Sequence, residues 1–172
     1  MEAADLLLDA FDRVRNTVHT AVEGLTGQQL AVRLDPEANT IAWLVWHLAR
    51  VQDDHVADVA GVEQVYTAQG WAERFAFPFS KAAVGYGFSS EDVAAVRVDD
   101  PALLVDYYDG VHGQTLKYVR GLTGADLDRV VDDAWDPPVT LAVRLISVVN
   151  DDLQHAGQAA FIRGIVKRGS RS

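Results

Sequence analysis

The stretch TLAVRLISVVNDDLQHAGQAAFIRGIVK, residues 140–167, is almost wholly apolar yet carries two acids and a histidine at its middle. It follows Asp-Pro-Pro at 136–138, which cannot sit inside a helix because proline lacks the amide hydrogen and its ring clashes with the preceding turn. The apolar residues between Leu141 and Ile165 leave almost no polar face, which predicts a long, central, heavily buried helix. At about 100° per residue, Arg144, Val148, Asp151, His155, Ala159, Ile162 and Val166 fall on one strip. Asp151 and His155 are four residues apart, so their side chains lie one above the other.

Three further segments show the same period. From 3 to about 23, Leu7, Phe11, Val14, Val18 and Val22 recur every three or four residues, and Gly24 and Gly27 end the run. The second helix starts at NTIAWLVWHLARVQDDHVADVAG, 39–61. Asn39 or Thr40 caps it through a side-chain oxygen, and Gly61 is its stop. The third follows Pro101, a residue suited to a first turn, and runs to about 121 through Leu104, Tyr108, Val111, Thr115 and Val119.

Apolar residues almost never alternate, so no strand is expected. The fold class predicted is all-α: a four-helix bundle with a long crossover between helices two and three, residues 62–100, in one domain spanning 1–172. That crossover holds Trp71, Phe75, Phe77, Phe79, Tyr86 and Phe88, so it is expected to pack on the bundle and cover a pocket. Ser89 or Ser90 caps a short helix within it. No internal repeat or low-complexity tract is read.

Composition narrows the function. The formal net charge is −10, with 25 Asp and Glu against 15 Lys and Arg. The basic residues are scattered apart from the C-terminal KRGSR, so no basic face is offered to nucleic acid. The start MEAADLLLDAFDR lacks the basic region of a signal peptide, and no run approaches the ~20 apolar residues of a membrane span. The expectation is a cytoplasmic protein. With no cysteine in the chain, disulfides and thiolate ligands are excluded, and any thiol chemistry must import its thiol. Gly85-Tyr86-Gly87 lacks the preceding strand and third glycine of a dinucleotide loop. No Gly-x-Ser-x-Gly elbow occurs.

A carboxylate and an imidazole one turn apart can reach a single ion, the logic of helical two-histidine sites. A third ligand must then come from another helix, and His47, inside WLVWHLAR, is the leading candidate. Two histidines and a carboxylate with open positions suit zinc, iron or nickel better than calcium. Alternatives stay open at this point: Asp151 paired with Arg144, His155 as a hydrogen-bonded core histidine, and Asp152 replacing Asp151 if the helix is rotated. His55 and His112 are rival ligands, His19 reads as exposed, and Asp54 and Asp58 lie about 10 Å or more beyond His47 along the helix. Asp54 could orient an imidazole or be a solvated acid. Arg144 and Arg163 could meet an anionic substrate or form salt bridges.

NTIAWLVWHLARVQDD and DDLQHAGQAAFIRG together resemble the DinB-like superfamily, which includes bacterial thiol-dependent S-transferases and mycothiol-dependent maleylpyruvate isomerases. The resemblance implies the four-helix bundle with its long link, and a divalent metal, zinc foremost with nickel or iron as alternatives. Its ligands fall on His47, Asp151 and His155. Many relatives carry histidine at the position of Asp151; a carboxylate there is similar to the maleylpyruvate isomerases, which usually bear a second, C-terminal domain, whereas this sequence ends soon after the bundle. The implied activity is transfer or isomerisation with a low-molecular-weight thiol of the mycothiol or bacillithiol type as co-substrate, acting on a small electrophile, with Trp46, Trp71 and Tyr86 shielding the pocket. The competing function is a non-catalytic metal-binding or stress-associated module. The resemblance also implies a homodimer.

Overall fold

Thr40 sets the architecture going. Its hydroxyl oxygen accepts the Trp43 amide at 3.0 Å and starts the helix Ile41–Ala60, which Gly61 stops in the left-handed conformation at φ 66°. In the computed structural model, which describes residues 2–169, the chain order is α1 (Ala3–Val22), α2 (Gly27–Leu30), α3 (Ile41–Ala60), α4 (Val65–Ala68), α5 (Trp71–Phe75), α6 (Ser90–Ala95), α7 (Ala102–Val119), α8 (Gly124–Leu127), β1 (Val130–Asp132), β2 (Val139–Thr140) and α9 (Leu141–Gly169). The four long helices α1, α3, α7 and α9 are those the hydrophobic period predicts, and α1 buries the expected Leu7, Phe11, Val14, Val18 and Val22.

Cross-helix bonds give the directions. Arg15 and His19 of α1 meet Asp109 of α7, while Asp12 meets His112, so α1 and α7 are antiparallel. His47 of α3 lies beside His155 of α9, and His55 beside Arg144, so that pair is antiparallel too. Gln52 reaches Thr115 at 2.7 Å and Tyr118 reaches the Val59 carbonyl; α3 and α7 therefore run parallel. Two parallel middle helices require a connection that returns the full length of the bundle, and residues 61–101 supply it. α4, α5 and α6 in this crossover bury Val65, Tyr66, Trp71, Phe75 and Val93 against the bundle. Ser89 caps α6 in a reciprocal box with Asp92, as predicted.

Three expectations need correction. The central helix is α3, not α9: every residue from Thr40 to Asp53 is buried, whereas α9 leaves Val143, Ile146, Leu153 and Phe161 exposed. The crossover covers the outer side of α3 and, among the described residues, nothing covers that of α9, a difference set by packing rather than by either helix's own composition. A two-stranded antiparallel ribbon exists, pairing Val130 with Thr140 and Asp132 with Val139; at three and two residues it is too short to show alternation. Finally, Gly-Leu-Thr-Gly-x-x-Leu occurs twice, at 24–30 and 121–127. Each copy follows a long helix, and Thr26 with Gln29, and Thr123 with Asp126, form matching capping boxes that open α2 and α8.

Candidate metal centre

His47 sits at 2 % exposure in the middle of α3. Its ring stacks on Trp43 one turn earlier, with centroids 4.5 Å apart, and Tyr86 stands edge-on to it at 5.0 Å. His47 Nδ1 pairs with the Val84 carbonyl of the crossover. A carbonyl only accepts, so Nδ1 carries the hydrogen and Nε2 keeps its lone pair. Burial pushes the imidazole below its ordinary value, ahead of the opposing Val84 bond, which keeps the ring neutral and able to ligate.

The close approach of Val84 depends on Gly85. A Cβ on Gly85 would lie 2.6 Å from His47 Nδ1, and its φ of +104° is one that residues with side chains rarely adopt. Glycine lets the crossover backbone lie directly on the imidazole.

α9 brings the partners. His155 lies 4.9 Å from His47, centroid to centroid, and its Nδ1 is 3.2 Å from Gln158 Oε1, an acceptor that again leaves Nε2 free. Asp151 Oδ1 is 3.7 Å from His155 Nε2. Asp151 Oδ2 is buried without a hydrogen-bond partner, a costly state for a carboxylate oxygen unless a cation is present. One ligand atom from each of His47, Asp151 and His155 lies within 4.8 Å of the others, the one such cluster among the described residues. Ligands about 2.1 Å from a tetrahedral zinc stand roughly 3.4 Å apart, so side-chain adjustments of about an ångström would close the set. The donors fit a borderline divalent ion: two imidazoles, each with its Nδ1 held by an acceptor, and one orphaned carboxylate oxygen.

The rivals have other partners. His55 Nδ1 accepts from Arg144 at 2.9 Å, and Arg144 also holds Asp132 at 2.9 Å, tying α3 and the ribbon to α9. His112 bonds Asp12 at 3.0 Å, and His19, half-exposed, bonds Asp109 at 2.8 Å. Asp54 accepts from Gln64 rather than from an imidazole. Arg163 binds the Glu23 carbonyl. Asp152 turns away from the cluster into the core, at 0 % exposure. Of the expected shielding aromatics, Tyr86 flanks the site. Trp46 packs instead with Phe77, Phe79 and Phe88, and Trp71 with Phe75 and Tyr107. The sequence reading missed Trp43, Gly85 and Gln158. Their available signals were spacings of four and three from the histidines, and the glycines around Tyr86.

An all-α bundle with a long crossover between its second and third long helices is consistent with the DinB-like fold. The Mycothiol-S-transferase family model matches residues 6–167, and the chain belongs to that family. The crystal structure of a conserved protein from Enterococcus faecalis is similar, with a TM-score of 0.90 and 28 % identity over 96 % of this chain and 98 % of that one. No curated protein matches the chain. No helix among the described residues is long and apolar enough to cross a membrane.

Proposed function

We propose that the chain is a metal-dependent thiol S-transferase or isomerase. It joins a low-molecular-weight thiol of the mycothiol type to a small electrophile, with His47, Asp151 and His155 as the ligands of a divalent ion, zinc foremost. The observation that carries the reading is the meeting of these three side chains, from α3 and α9, within 4.8 Å of one another. A divalent ion bound there supplies the positive charge that keeps a thiol sulfur deprotonated near neutral pH. The chain has no cysteine, so the nucleophile comes from the co-substrate. The sulfur lone pair forms a bond to the electrophilic carbon, the leaving group departs with its bonding pair, and the thiol proton goes to solvent. Trp43 and the Val84 carbonyl hold His47 in place, and Tyr86, 62 % exposed, borders the approach to the ion.

The reading includes a homodimer through the outer face of α9. None of the exposed positions from 143 to 161 carries a charge, in a chain where 23 % of residues are charged. Apolar exposure with charge depletion is the composition of a buried interface centre, and a self-complementary helix face suits two-fold pairing.

Removing one ligand tests the function. His155→Ala, purified without chelator, is expected to lose bound metal by elemental analysis and to lose the calorimetric heat and thermal shift on adding mycothiol. Metal content equal to wild type would overturn the ligand assignment. A metal-loaded wild-type protein that shows no heat with any thiol would favour the non-catalytic module.

A further inference from the structure

His47 is held by a loop, and the loop is held by Arg50. The two side chains leave α3 one turn apart, both buried, Arg50 at 0 % exposure, and both reach the same part of the crossover. Arg50 Nε donates to the Ala83 carbonyl at 3.2 Å and Nη2 to the Lys81 carbonyl at 3.4 Å. The next carbonyl, that of Val84, is the one that receives His47 Nδ1–H. The remaining guanidinium contacts go to Gln64 Oε1 at 2.8 Å, Tyr107 Oη at 3.4 Å and Asp53 Oδ2 at 3.6 Å, with the Tyr66 ring 4.3 Å below.

We propose that Arg50 is a positioning residue for the metal centre: by holding the carbonyls of Lys81 and Ala83 it fixes the Val84 carbonyl on His47 Nδ1, and so presents His47 Nε2 to the ion. Residues 76–89 form no helix or strand. The local bonds that shape the stretch are those of Ala83 N–H on the Ser80 carbonyl at 2.9 Å, Ala82 N–H on Ser80 Oγ at 3.2 Å and Phe88 N–H on the Gly85 carbonyl at 3.3 Å, and Lys81 pairs with Glu73 of α5. None of these ties residues 81–83 to α3, and Arg50 does. Gly85 already lies in contact with the imidazole, so a slip of the loop acts directly on the ring. Only a forked group can reach two carbonyls two residues apart while also pairing with Asp53; a lysine ammonium is a point donor on a flexible stem.

The alternative is that Arg50 merely neutralises Asp53. Asp53 spends its own oxygens elsewhere, accepting Val65 N–H and Tyr66 N–H at 2.8 Å each and Tyr107 Oη–H at 3.0 Å. The two roles can therefore be separated by substituting each residue. The functional consequence rests on His47 being a ligand, as proposed above, but the first readout does not.

The test uses 15N-histidine-labelled full-length protein, with the His47 tautomer read by long-range proton–nitrogen correlation in chelator-treated samples and zinc affinity read by competition. Wild type is expected to show His47 as the Nδ1–H tautomer. Arg50→Lys, which keeps the charge beside Asp53, is expected to show a mixture with the Nε2–H form and to bind zinc about tenfold or more weakly. Asp53→Asn is expected to lower the melting temperature while leaving tautomer and zinc affinity as in wild type. Arg50→Met/Asp53→Asn, which leaves no unpaired buried charge, repeats the tautomer measurement should Arg50→Lys fail to fold. An unchanged tautomer in the Arg50 variants overturns the proposal, as do equal changes in tautomer and affinity in Arg50→Lys and Asp53→Asn. A tautomer shift in a protein whose wild type binds no zinc upholds the tether and sinks the metal reading instead.

Discussion

Asp152→Asn is expected to stabilise the metal-free protein, by an amount that grows with pH. Asp152 sits on the buried face of α9 at 0 % exposure, and neither carboxylate oxygen has a hydrogen-bond partner. Burial holds its carboxyl well above the ordinary carboxylate range, with the neighbouring Asp151 acting in the same direction. A group raised in the folded state contributes its stability fully below its unfolded value near 3.9 and loses it as pH climbs through the raised value. Keeping a carboxyl neutral at pH 7 against an unfolded value near 3.9 costs at most about 4 kcal/mol, at 1.36 kcal/mol per pH unit. Asparagine has nearly the same shape and no such cost, while the unsatisfied polar atoms, at about 1–3 kcal/mol, burden both side chains. The variant should therefore gain roughly 1–4 kcal/mol at pH 7 and approach parity near pH 4. Urea unfolding of both proteins with chelator present, at several pH values between these limits, measures the difference. The buried histidines act in the opposite sense in both proteins, costing stability below about pH 6.5, because burial lowers His47, His55 and His112. A pH-independent difference, or a less stable variant at pH 7, would refute the reasoning by showing Asp152 ionised and partnered.

Gly85→Ala should weaken zinc binding by about 10–100-fold, since the new Cβ would meet His47 Nδ1 at 2.6 Å. It should also cost about 1–3 kcal/mol of stability for its backbone conformation; zinc titration and melting check the pair, and wild-type zinc affinity would count against the role given to the loop. Leu153→Glu, at a 46 % exposed position on α9, should convert a dimer to monomer by sedimentation. A face that pairs with its own copy buries both new carboxylates in one apolar interface, and buried charges left unpaired cost several kcal/mol. A variant that sediments as wild type does would remove the α9 face from the interface.

Much of the fold was legible in the chain because its signals are local. Helical periodicity located α1, α3, α7 and α9, and Thr40, Gly61 and Ser89 marked ends through bonds made within a few residues of themselves. The ribbon escaped because five strand residues carry no usable period. The Thr26 and Thr123 capping boxes were present as a repeated heptapeptide and went unread. At the site, spacing aligned Asp151 with His155 on one helix, the apolar run around His47 made it the leading third ligand from another, and the family resemblance pointed to the same residue.

The sequence by itself determined which residues can ligate, because residue type and the geometry of one helical turn are properties of the chain alone. Only the tertiary structure decided how they are presented. The Val84 carbonyl on His47, Arg50 on the Lys81 and Ala83 carbonyls and α3 as the buried centre all depend on where the crossover, with its irregular stretch 76–89, comes to rest. That position is set by contacts between residues dozens of positions apart, and no local period in the chain encodes such contacts.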